Sequence, residues 1–112
     1  MFEIKNGNIY INRNEKAELT VDIFMEDEKG DKRPYELLPG DRLRLRVLAM
    51  PEYKILLEKF AEGYTFYIKG SDTKDLSGQL AFSVGIVFAD GSEAFVIAPS
   101  DTEIPRFFVL EA

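Results

Sequence analysis

The chain has 112 residues, 46% of them apolar and 12% aromatic, with a formal net charge of −6. That length suits one domain with its own core, because folding at this size buries roughly 60–70% of the surface the unfolded chain exposes. The absence of cysteine and histidine removes disulfides, thiol nucleophiles, cysteine zinc sites and the commonest general base, and the acidic balance works against nucleic acid as a partner.

At the start, Met1-Phe2-Glu3-Ile4-Lys5 runs into polar Asn6-Gly7-Asn8 rather than an apolar signal core. No apolar run approaches the ~20 residues a membrane span needs. The expectation is a soluble protein made in the cytoplasm, with no membrane partner. Strands are expected over 2–5, 8–12 and 17–25. In the third, Leu19, Val21 and Ile23 share one face and Glu18, Thr20 and Asp22 the other.

The turn Glu28-Lys-Gly-Asp31 precedes a strand over 34–37, and Pro39-Gly-Asp41 opens another over 41–49. Here Leu43, Leu45 and Val47 face in while Arg42, Arg44 and Arg46 face out. The next segment is ambiguous. Tyr53, Leu56, Leu57, Phe60 and Ala61 fall at helical spacing, with Pro51 to open a helix and Gly63 to close it. The all-β surroundings favour a strand over 54–60 instead.

A strand over 64–69 leads to Gly70-Ser-Asp72 and a single helical turn over Ser71–Leu76, capped by Ser71 or Asp72. Strands over 79–89 and 92–98 flank Asp90-Gly91, the strongest short hairpin signal in the chain. A last strand covers 104–110. Short alternating strands at this spacing imply an all-β antiparallel sandwich or barrel in one domain, 1–112. Its core should unite Phe82, Val84 and Ile86 with Leu19, Val21 and Leu45.

Few residues suggest chemistry. Glu26-Asp-Glu-Lys-Gly-Asp31 is acidic, but a calcium loop needs its glycine sixth and a distal glutamate twelfth. The spacing fits a solvated hairpin loop. Paired carboxylates could cleave glycosides across a cleft, yet none sits in an apolar setting except Asp22, which falls on the outward face. No nucleophile, base and orienter assemble, so neither catalysis nor a cofactor or metal is expected. The Arg42, Arg44, Arg46 stripe reads either as a docking patch or as a solvent face paired with acidic neighbours across the sheet. Phe24, Phe107 and Val109 fall opposite the inward residues, so either both faces are covered or an apolar patch awaits a partner. Pro105 suits a strand start or sheet edge. Phe107 and Val109 are therefore expected to contact a second copy or a neighbouring protein; the alternative has them inside and Phe108 and Leu110 outside.

The turn segments, in order, resemble the N-terminal immunoglobulin-like domain of phage baseplate upper proteins and related prophage structural proteins of Gram-positive bacteria. The pieces are Ile9-Tyr-Ile-Asn-Arg-Asn-Glu15, Pro34-Tyr-Glu-Leu37, Gly40-Asp-Arg-Leu43, Asp72-Thr-Lys-Asp-Leu76, Asp90-Gly91 and Val96-Ile-Ala-Pro-Ser100. Asn14-Glu15 replaces the family's usual Gly-Asp, and Leu80-Ala-Phe-Ser83 stands where a Tyr-x-Tyr-Asp-like run is usual. Family members often continue into a coiled coil or receptor-proximal region, whereas this chain stops at Ala112. The resemblance implies an immunoglobulin-like sandwich acting as a tail or baseplate component. Its partners would be other tail or baseplate proteins or a second copy, and it would be found in the virion if the phage is active. The competing expectation is a small module binding carbohydrate or peptide through end loops, for which Tyr35, Tyr53 and Tyr64 are the aromatic candidates.

Overall fold

In the computed structural model, which describes residues 2–98 and 106–111, nearly every alternating segment is a strand. β1 (Glu3–Lys5) and β2 (Asn8–Asn12) form a hairpin. Its two-residue loop, Asn6-Gly7, has φ of 53° and 81°, the left-handed pair a tight type I′ turn requires. β3 (Ala17–Thr20) and β4 (Phe24–Glu26) occupy the expected 17–25 strand, broken where its partner changes. Val21 N–H still donates to the Tyr64 carbonyl beside β8 (Thr65–Ile68), whereas the Ile23 carbonyl accepts from Tyr35 beyond β5 (Lys32–Pro34).

β5 lies earlier than the strand expected over 34–37. Beyond Tyr35 the backbone is claimed by side chains: Leu37 N–H donates to the Tyr64 hydroxyl and Leu38 N–H to Asp41.

β6 (Arg42–Ala49) and β7 (Lys54–Phe60) pair antiparallel, which makes the ambiguous segment a strand. Its helical spacing has a cause. Val47 pairs with Leu57 and Leu48 with Ile55, so Leu56 is an extra bulged residue that breaks the period of two. Pro51 lies in the connecting loop rather than opening a helix. α1 (Gly70–Thr73) is one short turn that starts a residue early. Lys69 is its N-cap position, and the Asp72 carboxylate accepts from Lys69 N–H.

β9 (Gly78–Val87) is the longest strand and organises the main sheet, ordered β1-β2-β11-β9-β6-β7. One edge of β9 carries β6. The other is shared in tandem: β10 (Glu93–Ile97) pairs with its Val84–Val87 half and β11 (Arg106–Leu110) with Gly78–Ala81. β11 also runs parallel to β2. The expected strand start at Ile104 and Pro105, and the Pro99-Ser100 end of the last motif, lie outside the described residues.

β11 therefore has a neighbour on each side, and the expectation for its side chains is corrected. Phe107 and Val109 are core residues, 0% and 4% exposed. Phe107 pairs with Leu80 and meets Phe82 edge to face at 6.4 Å. Phe108 and Leu110 take the other face, where Phe108 stacks on Tyr10. Phe107 and Val109 cannot reach a partner without unfolding the sheet.

Opposite the main sheet lie two short pairs, β3-β8 and β4-β5. Leu19, Val21, Ile23, Phe66 and Ile68 from this side pack with Leu43, Leu45, Val47, Phe82, Val84 and Ile86 in one core. The expected core set is all there. Among the described residues, β4 and β5 make substantial element contacts only with each other. The molecule extends to 44 × 28 × 26 Å with a radius of gyration of 14.4 Å, against about 13 Å for a compact chain of this length.

Turns are tied to one another in pairs. Asp41 accepts from both Leu38 and Ala89 backbone N–H groups, tying the turn before β6 to the β9–β10 hairpin. Arg13 Nε donates to the Leu76 carbonyl and Asn14 N–H to Thr73 Oγ1, seating the β2–β3 turn on α1. The Asn14 carbonyl oxygen lies only 2.6 Å from where a Cβ on Gly70 would stand, so α1 must begin with glycine.

Candidate protein-binding cleft

The arginine stripe is paired. Arg46 Nε donates to Glu58 at 2.8 Å, Arg44 bonds Glu93, and the Arg42 guanidinium lies 4.1 Å from the centre of the Phe60 ring. Glu58 and Glu93 reach in from the strands on either side of the β6–β9 pair, so these arginines hold strands together across the outer face. Each is engaged within the chain before any partner arrives.

The acidic turn is likewise occupied by its own backbone. Asp27 Oδ1 accepts from Lys29 and Asp31 N–H, and Gly30 at φ 81° closes the turn. Asp90 repeats the arrangement at the β9–β10 hairpin, accepting from the hydroxyl and amide of Ser92, which holds its carboxyl below the usual carboxylate range. Among the described residues no three acidic side chains gather to hold a metal ion, and no helix is long and apolar enough to cross a membrane.

The tyrosines do not form a platform. The Tyr64 hydroxyl braces the Tyr35–Leu37 backbone from beside the start of β6, while Tyr53 lies in the loop at the opposite end of the β6–β7 hairpin. A broad hollow of about 880 Å³ lies along β3 and β8, where Tyr67 is the exposed aromatic among charges of both signs, Lys16, Glu18 and Lys69.

Three of the most exposed apolar side chains meet elsewhere. β4 and β10 wall a cleft of about 310 Å³, with Phe24 and Met25 on one side, Phe95 and Val96 on the other, and Ile23, Tyr35, Ile86 and Phe88 beneath. Phe24, Met25 and Phe95 are 57%, 57% and 66% exposed. Three such exposed residues around one cleft are unlike the scattered surface leucine of an ordinary monomer. Sequence reasoning had singled out Phe24 as outward, and it is. It missed Met25 and Phe95, because Phe95 sits in a run that reads as core: its partner Gly85 faces outward, and the bulge at Val96 disrupts the alternation.

Comparison with protein families, curated proteins and solved structures finds no match to this chain.

Proposed function

We propose that this is a non-enzymatic, immunoglobulin-like structural module of a phage or prophage tail or baseplate, working by docking to other proteins. The observation that carries the docking reading is the cleft between β4 and β10, whose exposed aromatic and methionine side chains are the types enriched in protein interfaces. Strand order supports the sandwich class. β11-β9-β6-β7 on one side and β3-β8 on the other follow the G-F-C-C′ and B-E orders of variable-type immunoglobulin sheets. The β4–β5 arm and the inserted β10 are additions to that plan.

The resembling motifs also behave as a set. Arg13-Asn14 meets Thr73 and Leu76, and Gly40-Asp41 meets the Asp90-Gly91 hairpin. Such mutual contacts explain why turn chemistry would recur in that order without any active site.

The test is to induce prophage in the source bacterium, purify the particles and quantify this chain by mass spectrometry. A fixed stoichiometry with tail proteins is expected. Its absence from particles, with no tail or lysis genes adjoining its own, would overturn the assignment.

A further inference from the structure

We infer that the β4–β10 cleft takes a basic, apolar polypeptide segment of a partner protein; this rests on the docking reading above and names the chemistry of its partner. The argument is charge complementarity around an apolar floor. The two hairpins that build the cleft hold eight of the chain's twenty carboxylates but most of its net negative charge. Residues 21–37 contain six carboxylates and three cations, and residues 88–97 contain Asp90 and Glu93 with no cation, a net of −5. Arg44 of β6 pairs with Glu93 and brings the local balance to −4, against −6 for the whole chain.

That distribution sorts the possible occupants. A second copy presenting the same face would set like charges against each other, which disfavours a symmetric pair. Lipid headgroups and nucleic acid carry phosphates and are repelled too. A segment carrying Lys or Arg beside Leu, Val or Phe satisfies both the rim and Phe24, Met25 and Phe95. The walls suit a polypeptide in particular, since among the described residues β10 pairs only with β9 and β4 only with β5. Among the described residues each has one edge with no strand beside it, the feature that peptide-binding sheets use.

The experiment uses the whole chain and two fluorescein-labelled ten-residue peptides, one alternating Lys with Leu and Val, the other with Glu in place of Lys. Anisotropy should show the basic peptide binding at least tenfold tighter than the acidic one. Phe95→Ser and Met25→Ser, which leave the net charge untouched, should each weaken it at least fivefold without lowering the melting temperature. Equal binding of both peptides, or unchanged binding by both variants, would overturn the inference. So would sedimentation showing a dimer that Phe95→Ser dissolves, because the face would then belong to a second copy. The outcome is independent of whether the chain is found in particles, so failure here leaves the tail assignment to its own test.

Discussion

Lys59 points from β7 toward the core side of the sheet, where its ammonium meets the Asp72 carboxylate of α1 at 2.9 Å. A lysine turned inward on an outer strand discourages pairing with another sheet, and here it also anchors the short helix that follows β8. Burial pushes the Asp72 pKa up, but hydrogen bonds from Lys59 and the Lys69 amide outweigh it and leave the carboxyl below its ordinary value. A carboxyl depressed by folding stabilises the protein above its unfolded pKa, about 3.9, and loses that contribution as pH falls through its folded value. Asp72→Ala should cost about 1–2 kcal/mol at pH 7. Urea melts across pH should show the gap from wild type narrowing below about pH 4.

Phe107→Ala should be among the most damaging single changes, at about 3–5 kcal/mol. The ring is fully buried against Phe82. Phe108→Ala, on the opposite face of the same strand, should cost less. Denaturation midpoints of the two variants check the register of β11 directly.

Gly40 is constrained twice, by φ of 89° and by an Ala89 Cβ that a side chain at Gly40 would meet at 2.9 Å. Gly40→Ala should cost roughly 1–3 kcal/mol. Gly7→Ala, with open space around it but φ of 81°, should show the backbone strain alone and a smaller loss.

Arg46 and Glu58 should show a coupling of about 0.2–1 kcal/mol in a double-mutant cycle, as partly exposed pairs do. A coupling near zero would mean that this pair contributes nothing to the fold.

Much of this fold was legible from alternation alone. Leu43, Leu45 and Val47, and Phe82, Val84 and Ile86, sit inside as their spacing required. The failures have local causes. A bulge at Leu56 mimicked helical spacing. The strand over 17–25 broke because its two halves serve different partners, which no local pattern encodes. β11 was read as an edge because a tandem arrangement of β10 and β11 along β9 is a long-range choice. Asn6-Gly7 carries the same two-residue turn chemistry as Asp90-Gly91 and is a hairpin loop as well. As for the cleft, its exposed residues look like core residues in sequence; only the projection of the β4–β5 arm leaves them uncovered.

Phe24, Met25 and Phe95 serve a partner rather than the fold in the docking reading proposed above. The most direct measurement is the guanidinium denaturation midpoint of the triple variant Phe24→Ser, Met25→Ser, Phe95→Ser. A midpoint equal to or above that of wild type is expected, because side chains already more than half exposed lose little when made polar. A fall comparable to that of Phe107→Ala would show that these residues hold the sandwich together, and the docking surface would be contradicted.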